Sequence, residues 1–179
     1  MSNQISLQFP DVTVQNHRGE TRKFRTDYVT GRRVLIGFIY CQCDGICPTT
    51  TKHMARIHQV LRERKLDFQF VSITVTPHQD TVRDLHDYAE IYEQHRWKNW
   101  DFVRCSPEDL KPLRYALGAY DPNPAIDGDY RQHSGLLTFG NDRTNRWSAL
   151  PAGMNADELA FTVLRITRDA AKLKDYLQS

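Results

Sequence analysis

The chain has 179 residues, 40% of them hydrophobic and 26% charged, enough to bury a full core without disulfide or metal staples. Nine Gly and eight Pro exclude collagen-like and low-complexity chains, and the apolar content excludes a disordered one. The 24 basic and 22 acidic residues are mixed along the sequence for a net charge of +2, which argues against nucleic acid as a partner.

No period of repetition and no Ser/Gly/Pro-rich linker divides the sequence, so one domain over residues 1–179 is expected. The longest apolar run, Val34 to Cys41 counting Gly37, falls well short of the roughly 20 residues that span a bilayer. The opening MSNQISLQFP has neither a basic start with an apolar stretch behind it nor a small-residue cleavage site, so no secretory signal is expected in it.

In chain order, Val12 to Val14 and Lys23 to Phe24 flank Asn16-His17-Arg18-Gly19, which reads as an antiparallel hairpin with a glycine free to take positive φ. VLIGFIY, residues 34–40, is apolar without alternation, the mark of a strand buried on both faces. A helix follows over 49–64, with Pro48 in its first turn and Met54, Ile57 and Leu61 on one face. FQFVSITV, residues 68–75, is a second buried strand. Asp80 or Thr81 caps a helix carrying Val82, Leu85, Ala89 and Tyr92 at helical spacing. Trp100 to Val103 forms a third strand, and Ser106-Pro107-Glu108-Asp109 opens a helix that Gly118 ends. Leu136 to Phe139 and Arg146 to Ala149 flank a turn at Gly140-Asn141-Asp142-Arg143. Asn155 and Glu158 then start a last helix burying Leu159, Val163, Ile166 and Leu173. Parallel strands first and an antiparallel hairpin plus helix afterwards make a thioredoxin-like α/β fold. Its mixed sheet is flanked by helices and carries an N-terminal hairpin extension.

Three of the four cysteines, Cys41, Cys43 and Cys47, fall directly after the first buried strand, at the strand ends where α/β sheets gather function. Cys43 and Cys47 are four apart before a helix whose N-terminal partial charge favours thiolates, the species that attacks disulfides and binds soft metals. This spacing allows the Cα separation of about 4.4–6.8 Å that a disulfide needs. If the chain is still extended at Cys41, its side chain falls on the side of Cys43 as an auxiliary third thiol; the alternative is a small buried strand-end residue. Cys105, after the third strand, reads as a packing residue.

FIYCQCDGICP resembles the FIYTxCxxxCP segment of the Sco/SenC family of thioredoxin-like copper chaperones. The stretches SITVTPHQDTVRDLHDYAE, CSPEDLKPLRYALGAY and QHSGLLTF are similar to further segments of that family. The resemblance implies Cys43, Cys47 and His133 as ligands for copper, which is delivered to a copper-accepting protein such as a subunit of cytochrome c oxidase. It also implies a periplasmic or membrane-associated, periplasm-facing location, with a native anchor lying outside these 179 residues. Two thiolates suit Cu(I), and a neutral imidazole extends the set to Cu(II). This sequence departs from the pattern at Cys41, where the family has threonine, and at Thr76, where it has aspartate. His78, after the second strand, is the one substitute for His133, while His53, His58, His86 and His95 fit solvated helix faces.

A second reading of the same residues is a thiol-disulfide oxidoreductase in which Cys43 and Cys47 form a redox-active pair served by a thiol-reducing partner. A zinc site of Cys41, Cys43, Cys47 and His53 is a third, with a spacing unlike that of zinc knuckles.

Overall fold

The computed structural model describes residues 4–42, 46–92, 97–129 and 135–168, with residues 46 and 47 as backbone only. The hairpin forms as expected: β1 (Thr13–Asn16) and β2 (Thr21–Lys23) pair antiparallel around Gly19, whose φ of +80° lies in the left-handed region open to glycine. A π-helical segment, Phe24–Val29, follows; it takes Phe24, expected in the second strand of the hairpin, and continues where the sequence suggested no element. Its Thr30 N–H donates to Arg25 O at 2.9 Å, and it buries Phe24, Tyr28 and Val29 against the sheet.

The strand expected at 34–40 is β3 (Arg33–Ile39), buried at every position. It leads to α1 (Ile46–Glu63), which starts earlier than expected and buries Met54, Ile57 and Leu61. Next come β4 (Gln69–Thr74) and α2 (Val82–Ile91). Thr81 is the N-cap: its side chain accepts from Asp84 N while its own N–H donates to the Asp84 carboxylate, a reciprocal capping box. β5 (Trp100–Arg104) and α3 (Pro107–Ala116) follow, with Ser106 as cap and Gly118 in the left-handed region at φ +79°. A single turn, α4 (Pro124–Asp127), precedes β6 (Leu136–Asn141) and β7 (Arg146–Pro151).

This second hairpin is longer than expected and its turn lies further along, at 142–145, with Asn145 at φ +52°. Gly140 is therefore a strand residue, and the Trp147 ring lies only 2.3 Å from where its Cβ would be, so glycine is needed there for the ring to cross the sheet. The last helix, α5 (Ala156–Thr167), is capped by the Asn155 side chain, which accepts from Asp157 N and Glu158 N. It buries Leu159 and Val163 and half-buries Ile166, and the chain turns extended at Arg168. The expected burial of Leu173 lies outside the described residues.

One seven-stranded sheet runs in the order β2-β1-β5-β4-β3-β6-β7. β3, β4 and β5 are parallel, and β1, β6 and β7 join antiparallel. The fold is thioredoxin-like, with the first hairpin extending the sheet beside β5. Alternation sorts the strand residues: Leu35, Ile39, Phe70, Trp100 and Phe102 face α1, α2 and α5, while Val34, Ile36, Phe38, Val71 and Val103 face α3 and the π-helical segment. Gly37 brings α1 onto β3, because a Cβ there would stand 2.8 Å from Met54 Sδ and 3.1 Å from Leu137 Cδ2. Among the described residues no helix is long and apolar enough to cross a membrane.

Asp101 anchors the hairpin extension from β5. Only 4% exposed, it accepts from Tyr28 Oη at 2.7 Å and Asn16 Nδ2 at 3.0 Å and pairs with the Arg18 guanidinium. Beside it, His17 accepts the Phe102 N–H at its Nδ1, 3.2 Å away. Burial, reinforced by the Arg18 charge, pushes its imidazole down to about 4.

Two outcomes follow from this packing. Gly37→Ala is expected to lower unfolding free energy by about 1–3 kcal/mol through overpacking against Met54, read as a shifted urea midpoint. His17 is neutral in the fold down to about pH 4, whereas the unfolded chain protonates it near its ordinary 6.5. The unfolded state thus binds more protons in that window, so stability present above pH 6.5 declines as pH falls toward 4, by on the order of 3 kcal/mol. Urea titrations at pH 7.5 and pH 5 should show the loss, and His17→Gln should flatten it.

Candidate metal centre

β3 and β4 finish side by side, Ile39 opposite Thr74, and the Val75 N–H donates to Ile39 O at 2.8 Å. The loops leaving them are therefore neighbours, and the cysteine-bearing one leads into α1. Strand pairing stops at Ile39, and Cys41 lies in a turn, half-buried against the core beneath α1. The condition of extended chain at Cys41 is thus not met, so alternation does not set its side chain on the side of Cys43. The cause is Asp80, whose carboxylate accepts the Cys41 N–H at 3.2 Å and draws the chain toward the loop after β4.

Asp80 is 3% exposed and is the polar centre of this end of the sheet. Its Oδ2 also accepts from the hydroxyls of Thr76, at 2.9 Å, and Thr74, while Thr76 N–H donates back to Thr74 Oγ1 at 3.0 Å. A buried carboxylate persists only when donors satisfy it, and here one backbone N–H and two hydroxyls converge on its Oδ2. Thr76, the departure from the family pattern, serves this network as a donor. Sequence reasoning missed the role of Asp80 because it weighed the residue only as a helix cap. The signal was present in Asp84, three residues beyond Thr81, which assigns the cap to Thr81 and releases Asp80.

Cys47 is the second residue of α1, inside its first turn and not ahead of it, and Pro48 is the third. Earlier onset of the helix accounts for the difference. Cys43 and His133 lie outside the described residues, as does the side chain of Cys47. The flank of His133 is described: Gly135 O accepts from Ala152 N–H at 2.7 Å, β6 starts at Leu136, and Leu137 stands opposite Gly37. Thus the strand downstream of residue 133 enters the sheet at the end where β3 releases the cysteine loop.

Cys105 packs in the core under α3 at 6% exposure, as expected, and burial together with the Asp109 charge pushes its thiol up to about 12. His78 is exposed in the turn after β4, at the cysteine end. His53 is half-buried with Nδ1 2.7 Å from Ala152 O, and His86 is partly exposed, its Nε2 3.3 Å from Glu90. His58 corrects the solvated-face expectation: it is 5% exposed, stacked on Trp97 with centroids 4.0 Å apart, and bonded through Nε2 to Asn99 Oδ1. Its helix face is covered by the 97–99 loop, which has no helical periodicity to reveal it. His95 lies outside the described residues.

The family model described as SCO1/SenC matches residues 8–167. The chain belongs to the SCO1/SenC family. An SCO1 protein homolog of Bacillus subtilis is 28% identical over 99 residues, 55% of this chain and 50% of that protein. The chain spans about half the length of the curated relatives it matches first. Among solved structures, a SCO1/SenC family lipoprotein from Bacillus anthracis superposes with a TM-score of 0.71 at 19% identity, covering 88% of this chain and 94% of that one. Arabidopsis thaliana ScoI with copper bound superposes with a TM-score of 0.67 at 19% identity, covering 86% and 94%. At these identities the likeness to the solved structures is one of fold.

Asp80→Ala removes the acceptor shared by Thr74, Thr76 and Cys41, and is expected to cost about 2–3 kcal/mol in urea unfolding. Hydrogen exchange should report the loss locally, as faster exchange of the Cys41 amide, with Asp80→Asn giving the smaller effect.

Proposed function

We propose that this SCO1/SenC protein binds copper through Cys43, Cys47 and His133 and passes it to a copper-accepting protein such as a cytochrome c oxidase subunit. One observation carries the reading: the strand before Cys43 and the strand after His133 are paired neighbours, Gly37 opposite Leu137, so the chain approaches one sheet end from both sides. The position of Cys47 in the first turn of α1 adds the favourable end of the helix dipole to its thiolate form. Copper-bound Arabidopsis ScoI, which shares the fold, supports copper as the cargo. A pair of thiolates retains Cu(I), an imidazole adds a ligand suited to Cu(II), and release proceeds by thiolate substitution from cysteines of the acceptor. The lipoprotein relative supports a membrane-associated, periplasm-facing location. The whole of residues 1–179 acts as one domain in this proposal.

Thiol-disulfide exchange at Cys43 and Cys47 is the second reading, favoured by the same helix-terminal position of Cys47. One thiolate attacks a partner disulfide and displaces a partner thiolate; the other then attacks the mixed disulfide, leaving the partner reduced and the pair oxidised. In this proposal Cys41, half-buried two positions before Cys43 in the sequence, is an auxiliary thiol for either chemistry.

Reduced protein titrated with Cu(I) and with Cu(II) separates the readings. Copper transport requires His133→Ala to abolish the paramagnetic signature of sulfur and nitrogen ligation and to weaken Cu(II) binding at least tenfold, with Cys43→Ser removing both metals. Unchanged metal binding in His133→Ala, with insulin-type reductase activity lost in Cys43→Ser, would leave the exchange reading alone.

A further inference from the structure

The opposite end of the sheet, where the parallel strands begin, carries a surplus of positive charge. The segments leading into β3, β4 and β5 bring exposed Arg32, then Arg64 and Lys65, then Lys98 to that end. Arg143, in the turn between β6 and β7, joins them, as do Arg62 and Arg165 from the last turns of α1 and α5. Register confirms the gathering: Val34 stands opposite Gln69, Phe70 opposite Trp100 and Arg33 opposite Asn141, while Asn141 Nδ2 reaches Thr167 O at 2.8 Å. The exposed carboxylates on these segments are Glu63 and Asp67, and Asp142 is buried, accepting Gly31 N–H at 2.6 Å. The whole chain is only +2, so the remainder of the molecule is net negative.

These cations have no acidic partners among the described residues. Elsewhere arginines are paired, Arg18 with Asp101, Arg56 with Asp157 and Arg114 with Asp127. Between Lys65 and Lys98 the face opens into a cleft of about 330 Å³, where Arg62, Lys65 and Lys98 stand over Leu66, Phe68 and Trp97 and no carboxylate contributes to the lining. The cations run from β5 across β4, β3 and β6 to β7, a breadth of about 20 Å at ordinary strand spacing.

We infer that this end is a docking face for an anionic lipid bilayer, turning the cysteine end away from the membrane. Charge complementarity chooses the occupant. Unpaired Lys and Arg spread over several loops match a diffuse plane of phosphates, which needs no fixed geometry, and each cation near such a surface adds to binding. A protein partner would call for a broad apolar centre with aromatic anchors, whereas the exposed side chains that these segments bring to this end are mostly basic. The inference does not depend on copper and stands or falls separately from the reading of the cysteine site.

Co-sedimentation with phosphatidylcholine vesicles, pure or holding about a quarter phosphatidylglycerol, tests it at low salt. Binding should require phosphatidylglycerol, fall steeply as salt shortens the range of the field, and drop at least tenfold in Lys65→Glu/Lys98→Glu/Arg143→Glu. Lys111→Glu, a charge reversal on α3, should bind as the parent does. The inference is overturned by equal binding to both vesicle types, by no binding to either, or by equal losses in the triple variant and the α3 control. Retention on soluble polyglutamate without vesicle binding would overturn it in favour of an acidic protein. Copper titration of the triple variant should match the parent, which keeps the two proposals apart.

Discussion

Three parallel strands that pair with one another and are covered on both faces leave the chain few choices. Each must be reached by a crossover from the far end, so every loop that follows one emerges at one edge of the sheet and every loop that precedes one lies at the other. β3, β4 and β5 impose this on the whole molecule. The cysteine loop, the turn holding His78 and Asp80, and the entry to β6 share one end because of it. Arg32, Lys65 and Lys98 share the other for the same reason.

Buried carboxylates then secure the pieces that the sheet alone does not hold. Asp80 joins the turn at Cys41 to the loop after β4. Asp101 fastens the first hairpin and the π-helical segment to β5 through Asn16, Arg18 and Tyr28. Asp142 ties the turn before β7 to Gly31 and to Gln4 and Ser6 near the start of the described chain. Each collects several donors, at least one of them from a segment distant in sequence, which is what makes a desolvated carboxylate tolerable and what gives these irregular segments a defined position. At Asp80 the consequence reaches toward function, since the residue bound by it lies two positions before Cys43.

The two ends differ in chemistry. The cysteine loop and a buried carboxylate network lie at the end where the strands finish, and a surplus of cations lies at the end where they begin. The proposed copper transfer needs the cysteine loop reachable, and the proposed docking of the basic face on an anionic surface would leave that loop turned outward. The length of the strands separates the two ends.

Much of the architecture was legible in residue order. Val34 to Tyr40 and Phe68 to Val75 declared buried strands because both faces are apolar, and Thr81, Ser106 and Asn155 declared helix starts because their side chains supply the acceptors that the first turns lack. The cysteine spacing and its resemblance to SCO1/SenC proteins were equally plain, since they are local. What sequence could not supply depended on contacts between distant segments. Cys41 leaves the strand because Asp80 takes its N–H, Gly140 is a packing position because Trp147 crosses it, and His58 is buried because Trp97 stacks on it. Charges that alternate in sequence separate in space because parallel strands sum the loops at each end. Local pattern thus determined the elements and the candidate ligands; only tertiary structure decided which side chains share an end, since that depends on strand order and register.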